Sequence, residues 1–348
     1  MKKTLLEKYR ILLLCLLVVM GLSACSNPRG TDGKTKLDQV IALKETTLDK
    51  TQVNISEISD EQLKEEVESS TESTITIKPT TWASSWSKGW FDGLIVWPIA
   101  QLINLFASFT DAGWGIILAT LIIQLLIFAL TYKSQISQQR MQEIQPELQR
   151  VQNKYQGKND ERSKMLMAQE MQKLYSENDI HPFGSMLVMF IQLPVMMGMF
   201  YACMRAVTTV YGSFLGMPLS MTPLYGFQHL KWGPITVYIL MIVMSLLQMQ
   251  LPKWLNKLSG KDTKKRQDAG QGGMMANTMN MTMYMTTALI AFMYLSWPIS
   301  MSFYWLVSSI VRAFTSVLSH FISENELAKR AKERQEKRAQ GVLKNRRK

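Results

Sequence analysis

The apolar residues of this chain are gathered into long runs separated by charged or polar stretches, the pattern of a chain that crosses a bilayer several times. Five runs reach the roughly 20 residues that a bilayer core requires: 111–132, 183–207, 233–252, 277–297 and 298–321. Another, inside 91–110, is shorter and mixed. Its apolar part holds Pro98, Gln101 and Asn104, and Trp82, Trp86, Trp90 and Trp97 lead into it at helical intervals. Trp-rich apolar faces favour the membrane interface. The expectation is an outer amphipathic helix at 91–110, with a sixth crossing as the alternative.

The remaining segments are polar. Residues 25–90, rich in Thr, Ser, Glu and Lys, show no sustained apolar period and are expected to be a mostly disordered outer tether. Residues 133–182 carry two narrow apolar seams, Ile144/Leu148/Val151/Tyr155 and Met167/Met171/Leu174, joined at Gln156-Gly157-Lys158-Asn159. That pattern predicts a helical hairpin, interrupted in its first arm by Pro146. The fold class is an all-α integral membrane protein with five transmembrane helices, a helical hairpin and an outer amphipathic helix.

Charge then orients the chain. The net charge of +12 could point to nucleic acid, but its placement points to the membrane. Lys and Arg fill 133–182, the loop 253–276 and the tail 322–348, whereas the loop 208–232 holds only Lys231. With five spans every basic segment falls on one side, which the positive-inside rule makes the cytoplasm. No DNA partner is expected. The tail has three uses open to it: ribosomal RNA, anionic lipid, or orientation alone. The first residues agree with this topology. Lys2, Lys3, Lys8 and Arg10 precede the apolar run 11–22, and Leu22-Ser23-Ala24-Cys25 closes it. This reads as a signal peptide, 1–24, ending like a bacterial lipobox with lipid on Cys25; an uncleaved signal anchor is the alternative.

Candidate chemistry is sparse. His181, His229 and His320 lie far apart, Cys203 sits in an apolar run, and no phosphate-binding glycine loop appears, so no enzyme and no metal site is expected. The notable residue is Arg312, about 13 Å of helix from the nearer end of its run. Arginine at that depth costs at least about 2.5 kcal/mol, and the five spans hold no Asp or Glu to offset it beyond Asp111, the first residue of 111–132. Thr120, Gln124, Gln192, Gln248, Ser308 and Ser309 place polar groups in other spans or one turn away. Such side chains either join helices or line a cavity. Without membrane carboxylates or repeated halves, a coupled transporter is disfavoured.

Several motifs carry a family resemblance. Gly113-Trp114-Gly115-Ile116-Ile117 opens the first span, and Met141-Gln142-Glu143-Ile144-Gln145-Pro146-Glu147 with Lys154-Tyr155 lies in the hairpin. His181-Pro182-Phe183-Gly184 leads to Ile191-Gln192-Leu193-Pro194-Val195, and Trp297-Pro298, Tyr304-Trp305 and Ser308-Ser309 mark the fifth span. In this order they resemble the YidC-type membrane protein insertases, in the lipoprotein, five-span form of Gram-positive bacteria. The resemblance implies insertion and chaperoning of nascent membrane proteins, without ATP hydrolysis or a cofactor. It implies a groove open to the cytoplasm and to lipid, lined here by Arg312, Gln124, Thr120, Gln192, Gln248, Ser308 and Ser309. Clients would slide past Met189, Met196, Met199, Tyr304 and Trp305, with the ribosome and the Sec translocon as further partners. One departure is visible: the family's first span usually carries an arginine where this chain has Gln124, as if the groove's cation had moved to Arg312. A small-solute channel or transporter built on the same polar cavity is the competing reading.

Overall fold

The computed structural model describes residues 28, 35–53, 58, 61–69, 73–158, 160–178, 180, 182–258 and 273–346. The signal at 1–24, Cys25, His181 and the middle of the basic loop lie outside the described residues. In chain order the elements are β1 (Thr46–Asp49), α1 (Glu61–Ser69), β2 (Thr74–Ile77) and α2 (Trp82–Lys88). A π-helical turn, Asp92–Val96, runs into α3 (Trp97–Phe109). Then come α4 (Ala112–Glu143), α5 (Gln145–Tyr155), α6 (Glu161–Glu177), α7 (Pro182–Arg205) and α8 (Val207–Tyr211). The strands β3 (Ser213–Phe214) and β4 (Met217–Pro218) precede α9 (Pro223–Gln228), α10 (Trp232–Leu258), α11 (Gly273–Tyr294) and α12 (Ile299–Arg346). Among the described residues α4, α10 and the stretch Ile299–Asn325 are long and apolar enough to cross a membrane. So is Asp92–Phe109, where the sequence reading laid a helix on the surface: the π-helical turn lengthens the apolar stretch to 18 residues. α7 and α11 supply the remaining long apolar helices, with the side chains of 182–187 and 273–280 outside the described residues.

Helix α4 has 32 residues, about 48 Å, well beyond a hydrocarbon core of about 30 Å. Its polar end therefore extends past the apolar run from which the span was read. The chain forms two compact units, one from residues 1–123, 192–241 and 293–307 and the other from 124–191, 242–292 and 308–348.

In the first unit the segment expected to be a disordered tether is folded. β1 and β2 pair antiparallel, with Leu48 opposite Ile75. Leu37, Leu48, Val53, Ile58, Val67 and Ile75 form a buried apolar cluster with Tyr211 packed against it. These residues have no helical or strand period, which is why they read as a tether; it is the strand pairing that gathers them. The segment is tied to helix ends as well. The Ile41 N–H donates to the Arg205 carbonyl at 2.6 Å, and the Val207 N–H donates to the Ile41 carbonyl at 2.9 Å. The Asn104 amide donates to the same Ile41 oxygen at 2.8 Å, and its own oxygen accepts from the Thr208 hydroxyl at 2.7 Å. Gln101 donates to the carbonyls of Ala42 and Thr80. The polar face of α3 is thus the covered face, and Leu105 and Phe109 are left exposed.

In the second unit α5 and α6 pair as a hairpin. Ile144 stands between α4 and α5, and Pro146 is in the first turn of α5, where its missing N–H costs nothing. Asp160 caps α6 by accepting from the Ser163 N–H at 2.9 Å. Ile144, Leu148 and Ile180 are buried together, with Met171 and Leu174 against them. Glu170 receives the Lys154 ammonium at 2.5 Å and the Tyr155 hydroxyl at 2.9 Å. The Lys154 hydrogen bond, more than that of Tyr155, holds the Glu170 carboxyl below its ordinary pKa, and Glu170 raises Lys154 in turn. The pair's contribution is therefore complete between the ordinary carboxylate and ammonium values. It disappears as pH falls through the depressed Glu170 value, or rises through the raised Lys154 value. Being exposed, the pair contributes modestly. Probes on Gln152 and Gln172 should report a constant arm separation from about pH 6 to 9 and a broader one below about pH 4. Glu170→Gln should give the broader distribution at neutral pH and abolish the acid step.

Candidate functional site

The polar residues of the second unit follow one stripe on each of two helices. On α4, Gln124, Thr131, Gln135 and Gln139 recur at seven, four and four residues; on α12, Ser308, Arg312, Thr315, Ser319 and Ser323 recur at four, three, four and four. Both spacings keep one face of a helix. Gln124 is 4% exposed and its amide donates to the Ser308 hydroxyl at 3.0 Å. The Ser309 hydroxyl lies 3.3 Å from that of Ser245 on α10. Arg312 is half-buried, and its Nε donates to the Ser308 carbonyl at 3.3 Å. Gln124, Ser308, Ser309 and Arg312, named from sequence, are therefore together, with Ser308 touched from both sides. Gln248 is half-buried on α10.

The stripe continues where the sequence reading stopped. Gln139, 4% exposed, donates through its amide to Asn256 Oδ1 on α10 at 3.2 Å and lies 3.2 Å from His320 Nδ1 on α12. His320 Nε2 lies 3.6 Å from Glu324. One glutamine thus joins three helices. Sequence reasoning missed Gln139 and Asn256 because both lie beyond the apolar runs, and it set His320 aside for want of a ligand partner. Continuing the period of Gln124 and Thr131 by two further turns would have found Gln139. Gln139→Leu removes the hydrogen bond to half-buried Asn256 and the contact with buried His320, where losing a buried hydrogen bond costs about 1–3 kcal/mol. Its expected signature is a lower unfolding temperature in detergent, and Gln139→Glu, which keeps one acceptor but loses the donors, should not restore it.

Thr120 and Gln192 belong to the first unit. Thr120 is fully buried and its hydroxyl donates to the Ile116 carbonyl of its own helix at 2.6 Å. Gln192 Nε2 is buried and has no hydrogen-bond acceptor among the described residues. Two expected client contacts are corrected: Met199 and Tyr304 are fully buried, so they fill the first unit's core and present nothing to a passing chain. Met196 is half-buried, as is Trp305, whose ring packs 5.3 Å from Tyr294. The Met189 side chain lies outside the described residues. On the hairpin, Glu147, Arg150, Glu170 and Lys173 wall a hollow of about 320 Å³ with Val151 and Leu174 in it.

Long apolar helices packed through buried polar stripes define a multi-pass, all-α membrane protein. Comparison with known proteins places it further. The family model described as 60Kd inner membrane protein matches residues 104–326. Among curated relatives, the membrane protein insertase YidC of Clostridium perfringens is 30% identical over 221 residues, covering 64% of this chain and 82% of that protein. The membrane protein insertase YidC of Enterococcus faecalis is 29% identical over 66% of this chain and 74% of its own length. The membrane protein insertase YidC 1 of Streptococcus pyogenes is 32% identical over 67% and 80%. The chain belongs to the 60Kd inner membrane protein family and is of the YidC type.

Proposed function

We propose that this chain inserts other membrane proteins into the bacterial cell membrane and assists their folding. The observation that carries the mechanism is the polar stripe shared by α4 and α12, with the half-buried Arg312 on it. A polar segment of a client enters along this stripe and exchanges the Gln124–Ser308 contact for its own. Its apolar segment stays in lipid; Met196 and Trp305, half-buried in the first unit, are the remaining candidate client contacts. Arg312 supplies the cation that draws acidic client segments, and no proton or nucleotide chemistry is invoked. Gln248, half-buried on α10 of the same unit, extends the polar path. The hairpin hollow, with apolar residues below charged walls, suits first contact with an emerging chain.

The topology we propose has five spans: 111–132, 183–207, 233–252, 277–297 and 298–321. The lipid-bearing Cys25 and the segment 25–110 lie outside, and the hairpin, basic loop and tail lie in the cytoplasm. Helix α12 runs on to Arg346, and residues 324–348 carry ten Lys and Arg against four Glu, which suits a ribosome contact. The Sec translocon is a further partner in this reading. The experiment is photo-crosslinking from Gln124 and Arg312 during synthesis of a membrane protein. Trapping of the nascent chain supports insertion. Solute flux through reconstituted protein, with no client captured, supports the channel reading instead.

A further inference from the structure

The loop between α7 and α10 holds two leucines where the backbone suits glycine or asparagine. Leu215 (φ +52°) and Gly216 (φ +75°) form the turn between β3 and β4, a place where Asn-Gly is preferred. Leu230 (φ +52°) follows α9. The Lys231 N–H donates to the Gly226 carbonyl at 2.9 Å, a helix stop whose left-handed residue is ordinarily glycine. A branched side chain resists this backbone conformation. Packing does not compensate for it: Leu215 is 77% and Leu230 is 74% exposed, and Trp232, two residues on, is also 74% exposed.

Beneath these tips the loop is firmly held. The Phe214 ring meets those of Trp114 and Phe303 at 6.3 and 5.2 Å. The Ile299 N–H donates to the Met221 carbonyl at 2.7 Å and the Ser300 N–H to that of Leu219 at 3.1 Å. Met217 packs so closely on Gly233 that a Cβ there would lie 2.1 Å from its sulfur, which sets the β3–β4 turn against the start of α10. Leu215, Leu230 and Trp232 thus rise from one platform, with Lys231 beside them.

We infer that this cluster is a lipid wedge that inserts into the boundary between headgroups and acyl chains at the end of α10. Continuity with the membrane-facing surface favours lipid as the occupant. Trp232 begins α10, and the exposed Ile239, Leu240 and Val243 carry the apolar surface along that helix. Tryptophan and lysine are the residues that settle at such a boundary, the ring at headgroup level and the ammonium reaching water. A rigid platform with strained tips holds the leucines outward, where relaxed turns would allow them to fold back. The inference does not depend on insertase activity or on which side of the membrane the loop faces.

The test places an environment-sensitive fluorescent amino acid at Leu215 or Leu230, with the exposed Ser220 as control, in the full chain in phospholipid nanodiscs. The expected result is emission at 215 and 230 that is lost to lipids brominated near the headgroup and shielded from iodide, with the reverse at 220. Quenching of all three by iodide overturns the wedge. Shielding from both quenchers also overturns it, by pointing to a protein surface, either a partner or a second copy. Leu215→Asn and Leu230→Gly, which relax the backbone, should raise the unfolding temperature in detergent and lose that gain in nanodiscs. An equal gain in both media contradicts the inference.

Discussion

Replacing Arg312 by alanine is expected to cut insertion of clients with a short acidic outer segment by about tenfold, because a hydrogen bond from a charged donor contributes about 1.5–3 kcal/mol. The reasoning starts from depth. An arginine so far inside an apolar run is costly in any conformation, and the five spans hold no Asp or Glu beyond Asp111 at the edge of the first. Clients whose outer segment is neutral should be affected much less. Arg312→Lys, which keeps the charge but not the planar fork, should fall between. Gln124→Arg on the alanine background should restore part of the activity. Gln124 reaches the Ser308 hydroxyl at 3.0 Å and Arg312 reaches the Ser308 carbonyl at 3.3 Å, so a guanidinium at position 124 serves the same neighbourhood from the facing helix. Protease protection of a pulse-labelled client, in cells depleted of the native protein, reads the effect. Normal insertion by Arg312→Ala at normal expression would return the arginine to a structural role.

Arg205→Ala should be the most damaging single change to stability in the first unit. Arg205 is 3% exposed and donates through Nη1 to Asp92 at 2.8 Å, with Asp92 itself 19% exposed. Its Nε donates to the Gln39 carbonyl at 2.9 Å, so one guanidinium joins the end of α7, the turn before α3 and the N-terminal segment. Removing one partner of a buried pair costs about 3 kcal/mol, since the other charge stays behind. The expected outcomes are a lower unfolding temperature and early proteolysis between residues 35 and 80. Arg205→Lys should rescue little, because a lysine cannot serve two acceptors in fixed directions. An unchanged protease pattern would mean that the apolar cluster around Leu48 and Ile75 holds the segment without the ion pair.

These two residues also show what the sequence disclosed. Arg312 stood out because it interrupts an apolar run, and runs of that length have few physical alternatives to crossing a bilayer. Gln124 was set beside the fifth span by the family resemblance, which places an arginine where this chain has that glutamine. Arg205 did not stand out: it closes a run, where a cation is unremarkable, and its partners Asp92 and Gln39 are 113 and 166 positions away. The segment around Leu37 and Ile75 was unreadable for a related reason, since strand pairing between distant short stretches leaves no local period. Gln101 and Asn104 were read as the wet side of a surface helix; the chain itself covers them, through Ala42 and Ile41. Gln139 was lost to a boundary drawn at the end of hydrophobicity, although the helix and its polar stripe continue. Met199 and Tyr304 were taken for contact surface from residue type and the family resemblance, neither of which tells which face of a helix is covered.

The central claim is that the polar stripe of α4 and α12 receives client chains. Photo-reactive residues at Gln124 and Arg312, carried by the full protein while a ribosome synthesises a membrane protein, test it most directly. Adducts with the nascent chain should form at both positions, peak while the client's polar segment is crossing, and be absent from the exposed Phe314 two residues beyond Arg312. Adducts to lipid alone at 124 and 312, with the client captured only elsewhere, would contradict the account.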